Sequence, residues 1–69
     1  MATPEHPLRR WRDLRGWSLD TTAAAVLTSA ATVSRIETGR QFPRPDLLAR
    51  LAELTGVSPN EFLGWRLGR

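Results

Sequence analysis

The chain has no cysteine, no tyrosine and no lysine, so all ten of its cationic side chains are arginine, and it has a single histidine. Without cysteine there is neither a disulfide staple nor a thiolate metal site, and one imidazole cannot build a ligand cluster. Zinc-finger architectures are excluded, and no metal or cofactor is expected. No apolar run approaches the ~20 residues that span a bilayer. The N-terminus passes through Pro4, Glu5, His6 and Pro7 where a signal peptide needs an apolar stretch. A cytoplasmic protein with no membrane partner is therefore expected. Repeats, low-complexity tracts and flexible Gly/Ser linkers are also missing.

What remains is 69 residues, 41% hydrophobic and 25% charged, the balance of an ordinary globular chain. That length supports one hydrophobic core, so residues 1–69 read as a single domain with a frayed start (1–6) and a tail (64–69). At about 1.5 kcal/mol of ordering entropy per residue the folding balance comes out near zero, and a partner chain would help. The net charge of +3 and the isoelectric point near 11.4 point to a polyanion or an acidic partner.

The apolar residues recur with helical periods. Leu8, Trp11 and Leu14 predict a first helix, with Pro7 suited to its first turn and Gly16 just past its end. Ser18 caps a second helix over Leu19 to Val26, in which Leu19, Thr22, Ala23 and Val26 share a face and Trp17 can act as a hydrophobic staple. Thr28 or Ser29 caps a third, with Val33 and Ile36 inward and Gly39 as its stop. After Pro43 and Pro45, a fourth helix runs from Asp46 through Leu47, Leu48, Leu51, Ala52 and Leu54 to Gly56. Ser58, Pro59, Asn60 and Glu61 form a capping box for a short fifth helix carrying Phe62 and Leu63. No segment alternates with period two, so the fold expected is all-α.

The tight link between helices two and three, together with Leu8, Arg12, Gly16, Trp17, Ser18 and the run Ser34, Arg35, Ile36, Glu37, Gly39, resembles the Xre/Cro/C1 helix-turn-helix family of phage and bacterial transcriptional regulators. Pro43, the Leu48, Leu51, Ala52 pattern and the stretch Gly56 to Glu61 continue the register, so the resemblance covers roughly Leu8 to Leu63. It implies a five-helix, lambda-repressor-like DNA-binding domain. Three positions depart from the family pattern. Leu19 stands where the family's phosphate-binding Gln is usual, which removes that contact. Thr22 replaces a Leu, and its hydroxyl can turn onto a backbone carbonyl if buried. Leu27 replaces the turn Gly, where a left-handed side-chain residue costs roughly 1–2 kcal/mol, so a rebuilt turn is anticipated.

With Val33 and Ile36 inward, helical geometry leaves Ala31, Arg35 and Thr38 opposite the core. The family pattern then implies base contacts from Ala30, Ala31, Thr32 and Arg35 in the major groove. Arg35 suits guanine O6 and N7, while Ala31 and the Thr32 methyl suit thymine methyls. Phosphate contacts are implied for Arg40 and Arg44, joined by Gln41, Ser18, Ser29 and Thr38. Arg9, Arg10 and Arg15 read as solvated helix charges. Arg12 and Glu37 match the family's structural ion pair between helix one and the end of the recognition helix.

Phe62, Leu63, Trp65 and Leu67 would bury apolar surface in a homodimer, which predicts an inverted-repeat operator. With no room for an inducer-sensing domain, the favoured function is a Cro-like dimeric repressor or autorepressor. The alternatives are an antitoxin that binds a toxin protein as well as its own operator, and a helical interaction module without a DNA role. Enzyme activity is not expected: Ser18, Ser29 and Ser34 have no base at a defined spacing, and His6 falls in the frayed start.

Overall fold

The computed structural model describes residues 5–67, with side chains described through Leu63. The order of elements is α1 (Pro7–Arg15), α2 (Leu19–Ala25), α3 (Ala30–Glu37), α4 (Pro45–Thr55) and α5 (Pro59–Leu67), with no strand among the described residues. Every helix sends residues into one core: Leu8 from α1, Ala23 with the adjoining Val26 from α2, Val33 and Ile36 from α3, Leu47 and Leu51 from α4, and Phe62 from α5. Leu19, Phe42, Leu48, Leu54 and Val57 close its edges. No helix among the described residues is long and apolar enough to cross a membrane.

The helices start where capping side chains replace missing backbone partners. Ser18 Oγ accepts the Thr21 amide at 3.0 Å and Ser29 Oγ accepts that of Thr32 at 3.1 Å, each satisfying an otherwise orphaned donor. Pro45 opens α4 after an Arg44 that makes no side-chain cap bond, one residue before the expected start at Asp46. At α5, the Glu61 carboxylate accepts the Ser58 amide at 3.1 Å, as the capping box requires.

Three helices end in the same way. In α1 the amides of Trp17 and Gly16 donate to Arg12 and Asp13; in α2 those of Thr28 and Leu27 donate to Ala23 and Ala24; in α3 those of Arg40 and Gly39 donate to Arg35 and Ile36. This is the Schellman arrangement, whose fifth residue must be left-handed. Gly16, Leu27 and Gly39 accordingly have φ of 69°, 61° and 80°. The α2–α3 turn is thus not rebuilt around Leu27. The leucine accepts the left-handed geometry with its side chain 76% exposed, because the hydrogen-bond pattern of the turn overrides its own preference.

Several sequence expectations are corrected. His6 is not frayed: it is 5% exposed, its Nδ1 accepts the Leu8 amide at 3.0 Å as the N-cap of α1, and its ring lies 5.5 Å from that of Phe62. Phe62 is 1% exposed within this core, so it is not available as a dimer contact. Leu14 is not core but 82% exposed, since the side of α1 that meets the interior runs through Leu8 and Arg12 at i, i+4. Trp17 packs edge-on to Trp11, with ring centroids 5.0 Å apart, and Arg15 lies over the other ring. α5 reaches Leu67, so the expected tail from residue 64 begins as helix. Trp65 and Leu67 lie outside the residues whose side chains are described.

Two expectations for stability follow. Burial lowers the His6 pKa to about 4 from its ordinary 6.5, so between these values the unfolded chain binds a proton that the folded chain excludes. Stability should fall as pH drops through that window, on the order of 3 kcal/mol in total. His6→Asn, which can still cap the helix, should flatten that part of the profile in urea melts at stepped pH; an unchanged slope would contradict it. Leu27→Gly should raise stability by about 1 kcal/mol after allowance for the freer unfolded chain, read from the denaturation midpoint.

Candidate nucleic-acid interface

α2, the turn through Leu27 and α3 form a helix-turn-helix, and what it can do depends on the face α3 leaves to solvent. Val33, Ile36 and Glu37 point inward, whereas Ala31, Arg35 and Thr38 are exposed and Ala30, Thr32 and Ser34 are half-buried. The outward row is short and smooth at its start, where two alanines present little more than backbone. It becomes cationic one turn later at Arg35. An α-helix with such a face fits a groove floor closely.

The polar residues of this face are tied together. Arg35 Nε donates to Gln41 Oε1 at 3.1 Å, and its terminal nitrogen lies 3.4 Å from Thr32 Oγ1. Thr32 Oγ1 also accepts the Ser29 hydroxyl at 2.9 Å. Ser29, Thr32, Arg35 and Gln41 therefore form one hydrogen-bonded string across α3 and the following loop. Ser18 donates in the same way to Thr21 Oγ1 at 2.9 Å, one helix earlier. Since each serine oxygen caps its helix by accepting, its hydroxyl hydrogen can be redirected to another acceptor without loss of the cap. Thr38 differs: its hydroxyl is held by the carbonyls of Ser34 and Arg35 at 3.1 and 3.2 Å, so an outside acceptor would have to displace them.

Ion pairing leaves five described arginines without a carboxylate, Arg10 and Arg15 on α1 and three others around α3. Among the described residues, the acids found in ion pairs engage Arg9, Arg12 and Arg50: Glu5 and Asp13 with Arg9, Glu37 with Arg12, and Asp46 with Arg50. None pairs with Arg35, Arg40 or Arg44. All three are exposed, on α3, in the loop after it and at the cap of α4. Arg9, expected to be simply solvated, lies between two carboxylates at 3.6–3.7 Å.

Behind the face, Arg12 grips Glu37 with two parallel bonds, Nε to Oε2 at 2.9 Å and the terminal nitrogen to Oε1 at 3.0 Å. Its third nitrogen donates to the Trp17 carbonyl at 3.0 Å. The two side chains are only 13% and 5% exposed, and the bond to Glu37 is the main cause that raises the Arg12 pKa and keeps it charged. One guanidinium thus joins α1, the α1–α2 loop and the last turn of α3.

Arg50 of α4 is a residue the sequence reading passed over. Its Nε donates to the Val26 carbonyl at 2.8 Å, directly before the left-handed Leu27. The available signal is its position beside the core residue Leu51, on the inner edge of α4. Among the described residues no group of three or more His, Cys, Asp or Glu is placed to hold a metal ion.

Removing the Glu37 charge leaves the Arg12 guanidinium shielded and uncompensated, so Glu37→Gln should cost about 3 kcal/mol of stability in urea denaturation. Asp13→Asn, in an exposed pair, should stay within about 0.5 kcal/mol. Equal effects would refute the special standing of the pair.

Comparison with known proteins places this geometry. No curated protein and no solved structure matches the chain at a significant level. Residues 6–65, which take in the whole helix-turn-helix with Arg12, Glu37 and Arg50, match the profile of a helix-turn-helix domain family. The chain therefore belongs to a helix-turn-helix domain family of the Xre/Cro-like type, a DNA-binding fold.

Proposed function

We propose that the protein is a sequence-specific, double-stranded-DNA-binding transcriptional regulator, a Cro-like dimeric repressor that sets α3 into the major groove of an inverted-repeat operator. The observation that carries this reading is a cluster of charge: Arg35, Arg40 and Arg44, three of the five described arginines without a paired carboxylate, are exposed on and beside α3. Holding unpaired cations together is unfavourable for an isolated domain and favourable opposite a polyanion, where each phosphate neutralised releases counterions.

Arg35 is the long polar reader. Its planar fork matches guanine O6 and N7, and its contacts with Gln41 and Thr32 are exchanged for the base edge when DNA arrives. Ala30, Ala31 and the Thr32 methyl let the helix sit deep and touch thymine methyls. Arg40, Gln41 and Arg44 grip phosphates from the α3–α4 loop, and the N-termini of α2 and α3 at Ser18 and Ser29 add donors along the backbone. Thr38 is the weakest of these contacts because its hydroxyl is already held. With one long polar reader, a further share of specificity rests on DNA shape. The dimer surface on α5 involves the 43%-exposed Leu63, with Trp65 and Leu67 beyond it and without Phe62.

In vitro selection from random duplex DNA at near-physiological salt should enrich an inverted repeat with half-sites about 34–36 Å apart. Salt-sensitive binding without a motif would refute specific recognition. On the enriched site, Arg35→Ala should relax base preference at one position per half-site. Arg40→Ala should weaken binding to all sequences alike and flatten the logarithmic salt slope by about 0.9 per site contacted. The reverse pattern would exchange the roles of reader and grip.

A further inference from the structure

The α2–α3 turn carries a conflict that its own residues do not resolve. The Schellman bonds of Thr28 and Leu27 satisfy the carbonyls of Ala23 and Ala24, but the next carbonyls, up to Val26, are left to other donors. Leu27, which follows, sits at φ 61°, a geometry a leucine does not favour. Arg50 reaches across from α4 and donates Nε–H to the Val26 carbonyl at 2.8 Å. Its terminal nitrogen leans on Asp46, one turn earlier on the same helix, at 3.6 Å.

We propose that Arg50 is a positioning residue for DNA reading: by holding the Val26 carbonyl it fixes the turn through the left-handed Leu27, and with it the pitch at which α3 presents Thr32 and Arg35. The inference rests on the DNA-binding reading above and adds to it a residue that touches no base. Arg50 lines an open groove with Thr28, Thr32, Gln41, Arg44 and Asp46, so a direct phosphate grip is the competing role. The geometry favours the clamp. Nε is committed to the backbone, one terminal nitrogen faces a carboxylate, and the side chain is only 35% exposed.

The two roles differ in what they do to salt dependence. Arg50→Met should lower affinity for the selected site about tenfold while leaving affinity for unrelated duplex DNA and the salt slope unchanged. A phosphate grip would instead weaken both and reduce the slope by about 0.9, which would overturn the proposal. A second measurement reads the turn directly and needs no DNA. In Arg50→Met the amides of Leu27 and Thr28 should exchange with solvent about tenfold faster, whereas the equivalent Trp17 amide after α1 should not change. Equal exchange in the two proteins would overturn the clamp even if DNA binding is specific. If the parent protein shows no sequence preference, the functional reading fails, and the exchange result still decides the turn.

In a Leu27→Gly background the turn has less strain to contain, so Arg50→Met should lose less specific affinity there than in the parent. Additive effects would contradict coupling through the turn.

Discussion

The setting of α3 and its solvent-facing side depends on the bidentate contact between Arg12 and Glu37. Glu37 closes α3 at its C-terminal end, where the helix dipole disfavours a carboxylate, and it is almost fully shielded from water. Both effects are offset by the guanidinium, which meets the carboxylate plane to plane and fixes orientation as well as distance. A shielded pair of this kind contributes little net stability compared with an apolar packing of the same shape. Its effect is on registry: α3 cannot roll or slide relative to α1 without breaking two charge-assisted bonds at once. The third bond, to the Trp17 carbonyl, extends the constraint to the chain entering α2.

At the opposite end of α3 a different arginine acts. Arg50 meets the turn from α4, so α3 is bounded by one arginine contact from α1 and one from α4. Both are arginines in a chain without lysine; Arg12 donates from all three nitrogens, whereas Arg50 donates from Nε and keeps a terminal nitrogen 3.6 Å from Asp46. The arginines on and beside α3's outer face differ in being exposed charges with no carboxylate ion-paired to them among the described residues.

Helix number, caps and the inward residues of α3 and α4 were legible in the sequence because each rests on local chemistry. Ser18 and Ser29 cap where hydroxyls precede apolar periods, Gly16 and Gly39 stop helices where left-handed geometry is needed, and Thr22 turns its hydroxyl onto the Ser18 carbonyl at 2.9 Å. Long-range features were less legible. His6 reads as part of a proline-flanked loose end because nothing nearby announces Phe62, whose ring covers it from the far end of the chain. For the same reason Phe62 reads as a dimer contact: its place in α5 does not by itself reveal which side meets the core. Leu14 follows a three-residue period, yet the interior side of α1 is set by Arg12 meeting Glu37, which leaves Leu14 in solvent. Arg50 is one of ten arginines, and its role exists only once α4 lies against the turn. In the candidate site, the exposure of Ala31, Arg35 and Thr38 followed from helical geometry, whereas the string from Ser29 to Gln41 needed the loop in place.

The central claim is that α3 reads the major groove with Arg35 at a guanine. Guanine-N7 methylation interference on the enriched site tests it most directly, because the methyl group occupies the groove edge that Arg35 would engage. The account predicts one strongly interfering guanine in each half-site for the parent protein, and loss of that interference in Arg35→Ala. Interference that persists unchanged in the variant, or that is absent from both proteins, would contradict it.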